Sequence, residues 1–326
     1  MKDIGIVGLP YSGKTTLYTA MTRLGATGGR ANQAVVDVPD ERIALLADLE
    51  RSRETVPAKV RFVDIPGGLT AQGIAEYRTT DALCMVVGAF TEDVDPDGDL
   101  AALEAELLLA DLSSIEGAVT RARKRARGEV EARAELEALE EAQAHLEAER
   151  PLRDVGLDDR VRKSLRGFGL LTLKPRVVVA NVGEGMTIPA RLPESTIVIS
   201  AALEAEVAGM PADEAAELLK EFGVAESSLS RVIAASYRAL DLITFLTTGD
   251  DETRAWAVRR GARAPEAAGV IHSDLERGFI RAEVVPYEDL AEAGSWNSAK
   301  ERGKLRVEGK DYVVQEGDVV HVRFAI

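Results

Sequence analysis

The sequence contains few of the residues on which disulfide scaffolds, metal centres and membrane spans depend. Its 326 residues include one cysteine and three histidines, and aromatic residues account for 5%. Cys84 has no partner for an internal disulfide, which fits a reducing compartment, and the histidines show no zinc-ligand spacing. No apolar run approaches the roughly 18–20 residues that a membrane helix needs. These absences disfavour secreted disulfide folds, zinc enzymes and membrane proteins.

An excess of positive charge is also missing. Lys and Arg number 40 against 55 Asp and Glu, which gives a net charge of −15. This balance argues against broad electrostatic binding to nucleic acid, and we expect no DNA partner, although a local basic patch could still contact phosphates. The N-terminal residues predict a strand rather than a signal peptide, so we expect a cytoplasmic protein.

The most informative stretch is Gly8–Thr15, which fits the phosphate-binding template G-x-x-x-x-G-K-[ST] without a mismatch. It lies between a predicted buried strand, Ile4–Val7, and a predicted helix, Thr15–Leu24. Backbone N–H groups of such a loop surround phosphates, and the helix directs its positive end at them. Lys14 is predicted to reach the β- and γ-phosphates, and the Thr15 hydroxyl to ligate Mg²⁺. The nucleotide contacts predicted here are Gly8, Tyr11, Ser12, Gly13, Lys14, Thr15 and Thr16.

A second nucleotide element is Phe62–Gly67, an apolar strand that ends in Asp64 and continues to Gly67. Asp64 can hold Mg²⁺ through a water, and the Gly67 N–H can meet the γ-phosphate. Lys14 and Gly67 are therefore the predicted catalytic contacts to the reacting phosphate. No residue stands out as a catalytic base.

Two later loops are predicted to contact the base. Asn181-Val182-Gly183-Glu184 follows a buried strand, where P-loop GTPases carry Asn-Lys-x-Asp to read guanine. Val and Glu replace the Lys and Asp here, which impairs guanine reading. Ser200, Ala201 and Ala202 follow the next strand and form the remaining base-contact loop.

The patterns along the chain divide it into three parts. Residues 1–98 and 165–235 alternate strands and helices and predict a P-loop nucleotide-binding domain. Residues 99–164 predict an antiparallel helical hairpin, with Gly128 at its turn and an apolar seam that includes Ile115, Val119 and Leu139. Residues 236–326 predict a small α+β module, with strands at 254–259, 278–285, 311–315 and 318–325.

Five basic residues flank the predicted hairpin turn of this acidic chain: Arg121, Arg123, Lys124, Arg125 and Arg127. They could contact rRNA phosphates. They could equally be a solvated helix end, where cations are favourable.

Together these motifs resemble the YchF subfamily of Obg-related P-loop NTPases. The similarity extends over almost the whole chain and includes 264–272, 279–283 and 309–318 in the C-terminal module. The resemblance implies an α/β P-loop G domain with an inserted α-helical coiled-coil hairpin, followed by an α+β β-grasp (TGS) domain. It implies slow, Mg²⁺-dependent hydrolysis of ATP, often preferred to GTP, and association with ribosomes. Asn-x-x-Glu at 181–184 is the family's own variant of the guanine-reading motif.

The sequence departs from the family where the chemistry would occur. Tyr11 replaces an Asn that related GTPases associate with a K⁺ ion assisting hydrolysis. A Gly/Ala-rich stretch, 23–33, replaces the first switch, and the second switch, 70–78, is short, as is the segment 184–195. We therefore expect binding to survive better than turnover. The alternative is a protein that binds nucleotide or a partner and barely hydrolyses. A small-molecule kinase has no support, because no lid or acceptor-site pattern is visible.

Overall fold

The computed structural model describes residues 1–23, 32–91, 94–126, 130–183, 191–224 and 227–325. The chain forms two compact units. The first contains Met1–Val36 and Arg61–Ser236, and the second contains Asp37–Val60 and Tyr237–Ile326. No helix within the described ranges is long and apolar enough to cross a membrane.

The elements alternate along the first two hundred residues and are denser in strands near the end. The strands are β1 (Asp3–Val7), β2 (Gln33–Asp37), β3 (Glu54–Val56), β4 (Lys59–Asp64), β5 (Ala82–Ala89), β6 (Arg176–Val182), β7 (Ile197–Ile199), β8 (Leu242–Thr247), β9 (Glu252–Arg259), β10 (Phe279–Pro286), β11 (Arg306–Glu308) and β12 (Asp318–Phe324). The helices are α1 (Lys14–Arg23), α2 (Arg42–Glu50), α3 (Ala71–Tyr77), α4 (Pro96–Arg125), α5 (Val130–Glu147), α6 (Asp159–Leu165), α7 (Ala201–Val207), α8 (Ala212–Glu221), α9 (Ser228–Ala239), α10 (Ala264–Ile271), α11 (Ser273–Arg277), α12 (Tyr287–Ala293) and α13 (Trp296–Glu301).

The sheet of the first unit has the strand order β2-β4-β1-β5-β6-β7. Strand β1 pairs in parallel with β4 and β5, and β6 pairs in parallel with β5 and β7. All eight residues of β5 are buried, as expected for a parallel strand covered on both faces. Parallel strands end at the same edge of a sheet, so the loops after β1, β4, β6 and β7 lie along one edge.

Helices α4 and α5 form the predicted hairpin. Ile115, Val119 and Ala122 of α4 are buried in one cluster with Leu139 and Leu146 of α5, which is the seam that their spacing predicts. Exposed ion pairs join Arg123 to Glu140 and Arg125 to Glu135 across the hairpin. As the residue number rises on one helix it falls on the other, so the helices are antiparallel. The predicted turn residue, Gly128, lies outside the described residues.

A buried carboxylate joins α4 to the rest of the first unit. Asp111 is fully buried and accepts hydrogen bonds from Arg78 Nη1 at 2.8 Å, the Leu171 N–H at 3.0 Å and the Thr172 N–H at 2.7 Å. The same Arg78 guanidinium donates to the carbonyls of Ala110 and Gly169. Every charge in this network has a partner, which is the condition under which buried ions are tolerated.

The second unit has the β-grasp arrangement. Strand β8 pairs antiparallel with β9, β10 pairs antiparallel with β12, and β12 lies parallel to β8, with α10 between the two hairpins in sequence. The core beneath includes Phe245, Ala268, Ala282 and Val320. Short strand β3 extends the sheet by pairing in parallel with β9.

Three expectations for the second unit differ from the structure. The predicted P-loop domain included residues 37–60, which pack in the second unit, because β3 adds to the edge of its sheet. The predicted strand at 311–315 is wrong: that segment forms one isolated bridge, between Val313 and Arg263, in a turn closed by the Asp318 carboxylate. Strands β3, β8 and β11 of this unit were not predicted.

The Asp111 network gives a stability prediction. Asp111→Asn removes the negative charge that compensates Arg78. It also replaces one acceptor oxygen by an N–H₂ group, which cannot accept from the N–H donors around it. We expect a loss of about 3–5 kcal/mol in the free energy of unfolding, measured with urea by circular dichroism. Glu140→Gln breaks an exposed ion pair and should cost less than about 1 kcal/mol. Equal losses in the two variants would contradict this account.

Candidate nucleotide-binding site

The loop after β1 approaches its neighbours too closely for side chains at two glycines. A Cβ at Gly8 would lie 2.3 Å from the Val86 carbonyl oxygen. A Cβ at Gly13, whose φ is +92°, would lie 2.0 Å from Nδ2 of Asn181. These contacts explain the two glycines of the sequence template without reference to a ligand. Between them, Tyr11 also has a positive φ, +64°, and its side chain is 92% exposed.

The loop leads directly into α1, whose first residue is Lys14. The Lys14 ammonium donates to the Leu9 carbonyl oxygen at 2.8 Å, so the side chain folds back across the loop. Burial lowers the pKa of Lys14, and the nearby Asp64 carboxylate opposes that shift. The positive charge is thus held at the loop and only partly neutralised.

A cleft of about 510 Å³ opens beside Lys14. Thr15 and Asp64 line it, as do Gly8, Pro10 and the segment Ile65–Thr70. Burial raises the pKa of Asp64, and Lys14 lowers it. The cleft therefore places a hydroxyl, a carboxylate and an ammonium around one space.

The wall of this cleft at Ile65–Thr70 is a tight turn. Gly67 and Gly68 both have positive φ, of +82° and +54°. The Thr70 hydroxyl accepts from the Gly73 N–H at 3.3 Å and caps α3, and a Cβ at Gly73 would lie 2.0 Å from the Gly68 carbonyl oxygen. The short second switch is thus a compact connection between β4 and α3.

Asn181 joins three loops through one side chain. Its Nδ2 donates to the Ser12 carbonyl oxygen at 3.2 Å, and its Oδ1 accepts from the Ala201 N–H at 3.0 Å. The Ser200 hydroxyl accepts from the Leu203 N–H and caps α7, which fixes the third loop. Two hydrogen atoms are carried by an amide nitrogen, so Nδ2 retains one for a ligand.

A second cavity, of about 480 Å³, lies at these loops. Its lining includes six predicted contacts, Tyr11, Gly13, Thr16, Asn181, Ser200 and Ala202. The lining also includes Val182 and Gly183 of the predicted loop 181–184, and it adds Phe90, which the sequence reasoning did not identify. Phe90 is 38% exposed and follows β5 directly, so its position past a buried strand was the available signal.

The predicted residues thus fall into two groups at one sheet edge. Lys14, Thr15, Asp64 and Gly67 share the first cleft, and the base-contact residues share the second cavity. The Ser12 side chain is buried, and its hydroxyl has no hydrogen-bond partner among the described residues, whereas its backbone carbonyl accepts from Asn181. Ala201 is buried and offers its N–H to Asn181. Glu184 and Arg127 lie outside the described residues.

The four described basic residues of the hairpin, Arg121, Arg123, Lys124 and Arg125, belong to α4 and line neither cavity. All four are exposed. The charges of Arg123 and Arg125 are partly compensated by the ion pairs with α5.

The sheet order, the loop after β1 and the β-grasp module define an α/β protein with a P-loop G domain and a C-terminal domain. The family model YchF-GTPase_C, described as a protein of unknown function (DUF933), matches residues 242–325. "Ribosome-binding ATPase YchF" of Bacillus subtilis is 40% identical, with 99% of each chain covered. The protein of the same name from Haemophilus influenzae is 40% identical over the same shares. The chain belongs to the YchF family.

A solved structure supports this assignment. The Schizosaccharomyces pombe YchF GTPase superposes with a TM-score of 0.91 and 30% identity, covering 99% of this chain and 97% of that one. The alignment with the Bacillus subtilis protein extends over 361 positions, 35 more than the 326 residues of this chain. At least 35 positions of that alignment therefore have no residue in this chain, in keeping with the short loops noted in its sequence.

The Asn181 bridge can be tested on the unliganded protein. Asn181→Ala leaves the buried Ala201 N–H and the Ser12 carbonyl without this partner, so we expect a loss of about 1–3 kcal/mol in the free energy of unfolding. Gln72→Ala, which removes an exposed amide from α3, should change it by less than about 0.5 kcal/mol. Hydrogen exchange at the Ala201 amide should accelerate only in Asn181→Ala. Unchanged protection there would show that the bridge does not hold the third loop.

Proposed function

We propose that the protein binds ATP in preference to GTP, hydrolyses it slowly with Mg²⁺ and acts as a ribosome-associated switch in the cytoplasm. The observation that carries the proposal is the Asn181 bridge, which joins the P-loop to the base-contact loop. The names of the bacterial relatives, ribosome-binding ATPases, support the activity and the partner.

The phosphates would occupy the first cleft. Lys14 would leave the Leu9 carbonyl and donate to the β- and γ-phosphates, and the N–H groups of the P-loop and of α1 would surround them. Because the desolvated ammonium lacks a full counter-charge within the cleft, an anionic ligand stabilises it. Gly67, at the turn opposite, would offer its N–H to the γ-phosphate.

The donor set beside Lys14 fits magnesium. No cluster of three or more His, Cys, Asp or Glu residues suited to a metal occurs in the described ranges. Magnesium instead suits one carboxylate with a hydroxyl, waters and phosphate oxygens, and Asp64 and Thr15 supply the first two. The bound ion would neutralise phosphate charge; Thr15 would hold it directly and Asp64 through water.

The base would enter the second cavity. Phe90 and the exposed Tyr11 ring offer apolar surface, and the remaining Nδ2 hydrogen of Asn181 can donate to N7 of a purine. Neither Val182 nor Gly183 can supply the Lys stem that covers guanine in other GTPases. The aromatic surface and the N7 contact suit either purine, and the missing Lys stem is the feature that favours adenine over guanine, whereas the Schizosaccharomyces pombe relative is named a GTPase.

A contact to ribosomal RNA would use the exposed basic residues of α4, namely Arg121, Arg123, Lys124 and Arg125, with Arg127 beyond them in sequence. The ion pairs of Arg123 and Arg125 with α5 are exposed and therefore weak, so phosphates can replace Glu140 and Glu135. The β-grasp module is the second proposed contact surface.

Tyr11 favours the alternative of a binding protein with little turnover. Its phenol has no carbonyl to ligate a K⁺ ion at the position where the family carries Asn, and no residue of the cleft stands out as a base. Kinetic measurements of ATP hydrolysis are therefore needed to distinguish slow turnover from no turnover.

Calorimetric titration of ATP and GTP with Mg²⁺ tests the ligand. We expect ATP to bind more tightly, and Lys14→Ala to weaken it about 10- to 100-fold, because an ammonium–phosphate hydrogen bond is worth about 1.5–3 kcal/mol. Lys2→Ala, which removes a lysine that pairs with Asp81 instead, is the matched control. Tighter GTP binding would overturn the base assignment, and equal binding by wild type and Lys14→Ala would overturn the P-loop assignment.

The Tyr11 position tests the cause of slow turnover. We expect Tyr11→Asn to hydrolyse ATP faster in K⁺ than in Na⁺ by about tenfold or more, since one transition-state stabiliser can be worth about 10²–10³. Single-turnover assays with and without ribosomes measure the rate. Tyr11→Gly relieves the same positive φ without adding a carbonyl, so it should show no K⁺ effect. An equal K⁺ effect in both variants would contradict the explanation.

A further inference from the structure

A third cavity, of about 660 Å³, opens on the β-grasp sheet of the second unit. Its floor comes from adjacent strands β10 and β12, where Arg281 lies opposite Arg323 and Glu283 lies opposite His321. Residues of α13 and α2 form its walls, with Trp296 on α13. Its size is typical of sites for small organic ligands, about 300–1,000 Å³.

The floor includes two arginines at paired positions of β10 and β12. Arg281 and Arg323 are direct cross-strand partners, and like charges in that position are destabilising unless something separates them. Arg323 donates to Glu283 at 2.8 Å across an exposed pair, which is worth little. Arg281 has no ion pair among the described residues, and neither has Lys300 at the cavity wall. An anion bound between the arginines would remove their repulsion.

The charge around the cavity is positive although the chain is acidic. Arg281, Lys300 and Arg323 face two carboxylates, Glu283 and Glu50. Burial lowers the pKa of His321, so the imidazole adds no charge at neutral pH. The cavity thus carries one net positive charge on a protein whose net charge is −15.

A fixed aromatic pair lies next to this charge. The rings of Trp296 and His321 stack with centroids 4.0 Å apart and planes 22° from parallel. Thr248 holds both: its hydroxyl accepts from Trp296 Nε1 at 3.0 Å, and its carbonyl oxygen lies 3.0 Å from His321 Nε2. Val307 adds exposed apolar surface. A ligand with a flat apolar part would find these rings already positioned.

We propose that this cavity binds a nucleotide unit, with its phosphate between Arg281 and Arg323 and its base against Trp296. Guanidinium groups recognise phosphate oxygens through paired hydrogen bonds, and a base stacked on an aromatic ring gains about 1–3 kcal/mol. A free nucleotide and a single-stranded RNA present the same chemistry. The site does not involve the P-loop, and it extends the ribosome contact proposed above for the β-grasp module; the Lys14→Ala background keeps a failure of this site separate from a failure of the nucleotide site.

The test uses the full chain with Trp256→Phe, which leaves Trp296 as the sole tryptophan. Octameric oligouridylate and uridine monophosphate are titrated separately, and Trp296 fluorescence is followed. We expect saturable quenching that persists in a Lys14→Ala background. Arg281→Gln and Arg323→Gln should each weaken binding about tenfold, the equivalent of one charged hydrogen bond. Arg260→Gln removes an exposed guanidinium that pairs with Asp241 and should change nothing.

Each possible result of these titrations either supports the proposed site or overturns it. Tighter binding of the octamer than of the monophosphate supports the site and identifies RNA as the source, and equal binding per unit supports it with a free nucleotide as the source. No fluorescence change with either probe overturns it. Equal weakening by Arg281→Gln and Arg260→Gln also overturns it, because only non-specific charge would then matter. If Trp256→Phe does not fold, anisotropy of labelled octamer on the single arginine variants gives the same comparison.

Discussion

The candidate nucleotide site depends on one side-chain amide. Asn181 accepts from the start of α7 and donates to the P-loop, so two segments separated by about half the chain are held by a single planar group. The parallel sheet makes this possible, because β1 and β6 both end at the same edge. Gly13 is the other half of the constraint, since any Cβ there would occupy the space of the amide. The second glycine of the sequence template is therefore required by the close approach of the P-loop to Asn181 in the fold.

Charged side chains within each unit differ in how completely their charges are compensated. In the first unit, Asp111 and Arg78 satisfy each other in the interior and fix α4, whereas Lys14 and Asp64 are desolvated at a cleft without full satisfaction. Fully partnered buried charges are typical of architecture, and partly partnered ones are typical of binding sites. In the second unit, Arg281 has no ion pair among the described residues, whereas its cross-strand neighbour Arg323 pairs with Glu283.

Much of the first unit follows from local sequence. The P-loop template, the buried run of β5 and the seam through Ile115 and Val119 each predict an element that the structure contains, because these patterns report burial directly. The packing of residues 37–60 in the second unit was not predictable, because β3 has no buried pattern of its own and is defined by its pairing with β9. Phe90 was missed for a related reason: only the folded sheet brings it beside Asn181.

The central claim is that the loops after β1, β4, β6 and β7 form one nucleotide site. Hydrogen exchange with mass spectrometry, on the full chain with and without Mg²⁺ and a non-hydrolysable ATP analogue, tests it most directly. The account predicts that bound ligand slows exchange in all four of the peptides covering 8–16, 64–70, 179–183 and 200–203. The protection of the four peptides should rise with ligand concentration along the same binding curve. Protection confined to one of these segments, or none at saturating ligand, would contradict it.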